Sequence, residues 1–540
     1  MSRSAVLNQL WTLASQPAAR RFERTLGDPG EHQRRRLLGL VRANAGTAFG
    51  HAHGFSTLAD VEQLRARVPL QRYEDLAPWI ERIRAGEQQV LTSERVTRLI
   101  PTGGSSGGAK LIPWTAGLGR EFRAALAPWV VDLQRRHPGV AAGPAYWSVS
   151  PAAVLDRAEG ALPIGFADDS AYLGRWLRPL VAALFAAPAC LRTVTDLAAF
   201  RYATLRCLLV RRDLALVSVW HPSFFSLLMD AAQEWRGQLL HDIATGGISA
   251  PGPLPTPVRA GLRPWLAADP RRAAELRGAD WTSVRALWPR LSLVSCWGDG
   301  PAATACTALT RRLGGIAVQP KGLLATEGVV TIPVDGAAVL AVDSHVHEFI
   351  AADGRVCWAD ELEDGGIYEV AITTAGGLWR YRLGDRVRVV GFAQRTPCLR
   401  FLGRGDRVVD LCGEKLDEAF VAACLERVVG GAGFAMLAPD PRATAAGYTL
   451  FCDGDAVDSR PLLARLEDEL VVNPHYRLAR HLGQLAPLRL FRVGNSAVDV
   501  FLSRRAEGTC LGAVKPVSLH PDSGWSRVLP GAYVETEVGA

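Results

Sequence analysis

Between residues 291 and 402 the pattern of the chain changes. "RLSLVSCW", "GVVTIPV", "HVHEFI", "GIYEVAIT", "LWRYRLGDRVRVVGF" and "CLRFLGR" follow one another as strand candidates rich in β-branched and aromatic residues. Upstream, from 140 to 290, short apolar runs alternate with longer helical patterns, as in α/β units. Downstream, "GRGDRVVDLCGEKLDEAFVAACLERVVGG" reads as a turn, a short strand and a helix, and strand and helix signals alternate again to the end. That order predicts an α/β protein with a β-rich region inside its larger N-terminal part. At 540 residues the chain is too long for one ordinary core. The predicted boundary lies near 404 to 406, giving residues 1–404 and 405–540.

Residues 1 to 95 read as helices with short turns. Leu7, Leu10, Trp11 and Leu13 suggest the apolar face of a first amphipathic helix. A helix from about Gly117 to Arg136 is predicted with Thr115 as N-cap, because Leu118, Phe122, Leu126, Trp129 and Leu133 recur at helical spacing. The longest apolar stretch, about Leu180 to Leu191, is short and broken by Pro188, so it reads as a buried helix segment and no membrane span is expected. The first residues lack the apolar segment and cleavage site of a secretory signal, and a cytoplasmic location is the expectation.

The ten cysteines form no Cys-x-x-Cys pair and the expectation is reduced thiols. His345 and His347 would point the same way on a strand, with no third metal ligand in sight. The net charge of +7 is spread in arginine doublets, without the basic run and interleaved aromatics of a nucleic-acid binder. Among 61 basic residues only Lys110, Lys321, Lys415 and Lys515 are lysines. A lysine kept in such a chain marks a place where a compact, flexible ammonium differs from a planar guanidinium. Each of the four lies beside a glycine-containing motif.

The first motif is "TGGSSGGAK", Thr102 to Lys110. It is not a Walker loop, because Leu111 follows the lysine where Mg2+ would need a hydroxyl. It fits Thr-Gly-Gly-Ser-Ser-Gly-x-x-Lys and resembles the phosphate loop of adenylate-forming enzymes. There Gly103, Gly104 and Gly107 would let backbone N–H groups approach an anion. Ser105 and Ser106 would add hydroxyls and Lys110 a charge. The second motif, "KGLLATEGVV", carries Thr326 and Glu327, matching that superfamily's Thr-Glu; Leu323 and Leu324 replace its aromatic-Gly pair. The resemblance implies that Thr326 donates to the α-phosphate and Glu327 holds Mg2+. The third, "WRYRLGDRV", places Asp385 after a tight turn as the acceptor of the ribose hydroxyls. In "GRGDRVVDLCGEKL", Arg404 would reach ribose or phosphate and Asp406 would be the hinge. Asp410, where many relatives have Lys, has no assigned role. In "GTCLGAVKPVSL", Lys515 is the cation expected over the α-phosphate.

Over nearly the whole length the sequence resembles the auxin-responsive acyl-acid amido synthetases, in a bacterial-type form. "ANAGTAFGHAHGF", "VPLQRYEDLAPWIERIRAGE", "SVWHPSFFSLLMD", "SCWGDG" and "YEVAITTAGGLWRYRLGD" carry the likeness. It implies a two-domain adenylate-forming fold whose smaller C-terminal lid closes about Asp406. It also implies ATP and Mg2+ as cofactors, a carboxylic acid activated as acyl-AMP, and an amine, often an amino acid, as acceptor. Trp220, His221 and Phe224 are the expected acyl-pocket lining; core packing before a helix capped by Ser223 is the competing reading. Transfer to coenzyme A or a carrier thiol, and a nucleotide-binding sensor without catalysis, are the alternatives. The identities of acid and amine, the oligomeric state, and the roles of Lys321 and Lys415 stay open.

Overall fold

The computed structural model describes residues 2–102, 110–147, 161–165, 179–404, 408–429, 434–440, 442, 446–453, 459–494, 497, 500–501 and 518–534. The described residues divide into two compact units, one built from 2–102 with 110–403, the other from the described residues of 404–534. Among the described residues no helix is long and apolar enough to cross a membrane.

The first unit begins with helices. Helix α1 (Arg3–Thr25) is N-capped by Ser2 and buries Ser4, Asn8, Trp11, Ser15, Ala19 and Phe22. Of the expected apolar face, Trp11 is buried with Leu7 packed beside it, while Leu10 and Leu13 face solvent. The buried stripe mixes Trp11 and Phe22 with small and polar residues, and Asn8 donates through Nδ2 to the carbonyls of Ala141 and Gly143 at 3.1 and 2.9 Å. After α2 (Pro29–Ala43), α3 (Ala48–Ala52), α4 (Val61–Arg67) and α5 (Tyr73–Arg84) comes an antiparallel hairpin of β1 (Arg98–Thr102) and β2 (Lys110–Trp114). Helix α6 (Ala116–Arg136) follows at once, where the apolar spacing places it. Thr115 accepts from the Leu118 N–H at 3.0 Å, and Leu118, Phe122, Trp129 and Leu133 are buried.

A four-stranded parallel sheet comes next: β3 (Ala145–Trp147), β4 (Leu216–Ser218), β5 (Leu293–Cys296) and β6 (Ala317–Pro320), paired in that order. Here two expectations change. "RLSLVSCW" supplies β5, which pairs in parallel with β4, so it closes the α/β part and does not open the β-rich region. The stretch 180–191 is not one helix either: Leu184 and Ala186 hydrogen-bond on both sides of Ala145, and Pro188 leads into a 3₁₀ turn, Ala189–Thr193. Sheet pairing and the missing proline donor win over apolar helix character.

The β-rich region forms a seven-stranded sheet in the order β10-β9-β11-β12-β13-β8-β7. Its strands are β7 (Thr331–Val334), β8 (Ala337–Leu340), β9 (Val346–Ile350), β10 (Val356–Cys357), β11 (Ile367–Thr373), β12 (Tyr381–Ala393) and β13 (Thr396–Arg404). Along β12, Val387 and Val389 are buried while Arg386, Arg388 and Val390 are exposed, the alternation of a half-covered strand. Arg380, just before β12, has a left-handed φ of 47° and is buried. Its guanidinium donates to Glu348 at 2.9 and 3.1 Å and to the carbonyl of Val68 at 2.7 Å. Those bonds tie the end of α4 to the sheet and hold the unfavourable backbone in place.

The second unit starts with a small ladder, β14 (Val408–Val409) against β15 (Leu416–Asp417), and a helix, Glu418–Val429. A mixed sheet follows, β16 (Ala435–Pro439), β17 (Tyr448–Cys452), β18 (Arg489–Val493) and β19 (Gly531–Tyr533), with β17 and β18 parallel. Strand alternation gives it two cores. Leu437, Leu450 and Leu490 pack with Leu462 and Leu466 of the helix Ser459–Leu470, while Met436, Phe451 and Phe491 pack with Trp525.

Candidate active site

Thr102 ends β1 and Lys110 begins β2, and the two are directly paired, so the glycine-rich stretch between them is the hairpin connection. Gly103, Gly104, Ser105, Ser106 and Gly107 lie outside the described residues. Lys110 is half-buried with its ammonium 5.5 Å from the centre of the Tyr73 ring, whose hydroxyl accepts from the Leu111 N–H at 2.8 Å.

Thr326 and Glu327 form the tip of a tight turn. Leu324 bridges Val329, and the Ala325 N–H donates to the Gly328 carbonyl at 2.9 Å. Gly328 packs closely there: a Cβ would sit 3.0 Å from the His345 ring and 3.1 Å from Ile372. Thr102 donates to Glu327 Oε1 at 3.3 Å, joining the end of β1 to a turn 225 residues away. This pair brings one carboxylate and a hydroxyl together at the mouth of the glycine-rich hairpin. Hard oxygen donors are the set that suits Mg2+, so Glu327 and Thr102 fit that ion.

Asp385 is buried within β12, not after a tight turn. The register against β11 slips between Glu369, opposite Arg386, and Ala371, opposite Arg382. Gly384, at φ 77°, sits in this bulge. A bulge re-aims a side chain inside a continuous strand, which a Gly-Asp pair cannot distinguish from a turn in sequence. The Arg404 side chain, Asp406 and Lys515 lie outside the described residues. Asp410 accepts from the Gly413 N–H at 2.6 Å and so shapes the bend before β15. Next to it, Glu414 is fully buried and accepts from the Leu411 and Cys412 N–H groups and the Tyr448 hydroxyl. Burial, with Asp410 nearby, pushes its pKa up to about 7.

The C-terminal edge of the parallel sheet is a third locus, the edge at which open α/β sheets receive ligands. His221, not Ser223, caps the helix Pro222–Glu234: its Nδ1 accepts from the Ser223 N–H at 3.3 Å and lies 2.7 Å from Ser223 Oγ. Nδ1 is thereby engaged in the cap. Phe224 packs into the core against Phe200. Trp220 stays 38% exposed beside Trp297. The residue that the sequence reading left without a role, Lys321, is the centre of this edge. Its ammonium donates to Ser218 Oγ at 2.6 Å and lies 5.4, 5.7 and 5.4 Å from the ring centres of Trp129, Trp147 and Trp220. Desolvation lowers its pKa to about 8, against an upward pull from Cys296. The paired histidines are structural: His345 Nδ1 lies 3.0 Å from Glu121, and His347 Nε2 lies 3.0 Å from the Val329 carbonyl. Among the described residues no group of three His, Cys, Asp or Glu side chains could hold a metal ion.

Comparison with known proteins places the chain in a family. Residues 18–318 match the GH3 family N-terminal domain and residues 338–404 the GH3 family central domain. The chain belongs to the GH3 family. It is 29% identical over 460 residues to the "Probable indole-3-acetic acid-amido synthetase GH3.12" of Oryza sativa subsp. japonica, covering 74% of this chain and 72% of the relative. To the indole-3-acetic acid-amido synthetase GH3.4 of Arabidopsis thaliana it is 23% identical, over 93% of this chain and 91% of that one. The solved structure of the AtGH3.15 acyl acid amido synthetase in complex with 2,4-DB shares the fold, with a TM-score of 0.66 at 19% identity over 97% of this chain and 98% of that one.

Proposed function

We propose that this protein is an AMP-forming acid–amine ligase. It activates a carboxylic acid with ATP as an acyl-adenylate, releasing pyrophosphate, and passes the acyl group to an amine, in the first instance an amino acid. The observation that carries this reading is the Thr102–Glu327 hydrogen bond, which holds the root of the glycine-rich hairpin against the Thr-Glu turn. Named relatives in the family are amido synthetases, which favours an amine over a thiol as acceptor.

The chemical difficulty is the negative charge that gathers at the α-phosphate as a carboxylate oxygen attacks it. Within the proposal, backbone N–H groups of residues 103–107 and the hydroxyls of Ser105 and Ser106 bind phosphate oxygens, and Lys110 adds charge at the rim. Thr326 donates to the α-phosphate from the turn tip. Glu327 and Thr102 would hold Mg2+, which would neutralise phosphate charge. Asp385 would accept the ribose hydroxyls, with Arg404 at ribose or phosphate and Asp406 as hinge. Lys515 would be the cation of the transition state. One ammonium about 4 Å from the developing charge is worth ~4 kcal/mol at an effective dielectric of about 20, roughly a thousandfold in rate.

The test is product mass. Purified protein with ATP, Mg2+ and a panel of acids is offered the twenty amino acids or coenzyme A. Amide is expected; thioester without amide would assign the chain to the thiol-ligating class instead.

A further inference from the structure

Lys321 follows β6, whose neighbour in the sheet is β5, and the Lys321 N–H donates to the Cys296 carbonyl at the end of β5 at 2.7 Å. The backbone is thereby fixed, and the side chain is fixed at its far end by Ser218 on β4. Three indole rings from three separate elements surround the ammonium: Trp129 from α6, Trp147 from the end of β3 and Trp220 after β4. Trp129 is itself held by its Nε1–H, which donates to Gln319 Oε1 of β6 at 2.8 Å. Ring faces stabilise a cation without neutralising it, so the lysine keeps its charge away from bulk water. Among the described residues no carboxylate pairs with it. A cation that is desolvated, held at both ends and unneutralised attracts an anion far more strongly than a surface lysine does. Ser218 Oγ accepts from the lysine, which leaves its own proton to donate to the same anion.

We propose that Lys321, Ser218 and the three tryptophans form a subsite for a carboxylate that does not react, carried next to a flat apolar body. This rests on the proposed ligase reading for the source of the ligand. The anion is not the reacting carboxylate: an ammonium on that group would stabilise the electron pair that must attack phosphorus, favouring the ground state over the transition state. Two substrates carry a spectator carboxylate, a dicarboxylic acid and an amino-acid acceptor. The rings favour an aromatic or otherwise planar body in either, and the exposed face of Trp220 gives it access.

Calorimetric titration of the full chain distinguishes the sources. One arm compares isophthalate with benzoate, the other phenylalanine with phenylalaninamide; each pair differs by one carboxylate. In one arm the probe with the extra carboxylate is expected to bind at least about tenfold tighter. Lys321→Met should erase that preference and Lys321→Arg should restore part of it, with thermal midpoints near wild type. The arm that shows the preference names the source. Equal binding within both pairs overturns the subsite, as does a preference that survives in folded Lys321→Met. The wild-type comparison stands even where a variant does not fold. Binding here needs no ATP, so absent turnover would count against the ligase reading and leave this one to be judged on its own.

Discussion

Glu327 and Lys321 lie six residues apart and are held in opposite ways. Glu327 sits at a turn tip beside a closely packed glycine, with one oxygen on Thr102. Lys321 is pinned between strands and rings. Glu327→Ala should therefore reduce adenylation about a hundredfold without loss of fold, since the half-buried carboxylate supports no core contact. Steady-state pyrophosphate exchange together with a thermal melt checks both halves. The Thr-Glu pair was readable because its spacing to the glycine-rich segment follows a known order. The Lys321 cage was not. Trp129, Trp147, Trp220 and Lys321 meet only because β3, β4 and β6 end at one edge. The single hint was that lysine is scarce in this chain.

Elements were legible where local physics decides them. Helix α6 begins at its Thr115 cap and runs to Arg136, as the spacing of its apolar residues requires. Thr115→Ala should cost about 1 kcal/mol of stability through loss of the bond to the Leu118 N–H, measured by urea unfolding. Elements were misread where distant pairing decides them. "RLSLVSCW" reads as a strand directly upstream of the antiparallel ones, and only its parallel partner β4 shows that it belongs to the α/β sheet. The Gly384 bulge hides in the same way: a glycine before an aspartate looks like a turn until β11 is seen to continue beside it. In α1, apolar residues at 10 and 13 pointed away from the true contact face, because Asn8 finds backbone carbonyls to satisfy and buries in their place.

At the scale of the whole molecule, buried ionisable groups set how the first unit responds to acid. Burial, with His345 and Arg36 nearby, lowers the pKa of His347 to about 3, although its bond to the Val329 carbonyl opposes the shift. Below the ordinary histidine value near 6.5 the unfolded chain takes up a proton that the native chain refuses. Stability should fall as pH drops from about 6.5 toward 3, by up to ~1.4 kcal/mol per pH unit from this group. Glu121 acts in the same direction at lower pH. Burial alone would raise its pKa, but His345, Arg36 and the Ala375 N–H outweigh that and hold it below the usual carboxylate value. Its contribution is complete above that value and is lost as pH falls through the lowered one. Urea midpoints between pH 8 and 4 check the slope; His347→Gln should flatten its upper part, from about 6.5 to 5.

The division into two units at Gly403 and Arg404 puts the glycine-rich hairpin's strands and the Thr-Glu turn in the first, and Lys515 in the sequence of the second. Adenylation is the step on which the proposed ligase function turns. Acid-dependent exchange of labelled pyrophosphate into ATP, across a broad acid panel, tests it most directly. The expected result is exchange with at least one acid, reduced about a thousandfold in Lys515→Ala while ATP binding persists. No exchange with any acid would contradict the ligase reading, and undiminished exchange in Lys515→Ala would remove that residue from the chemistry.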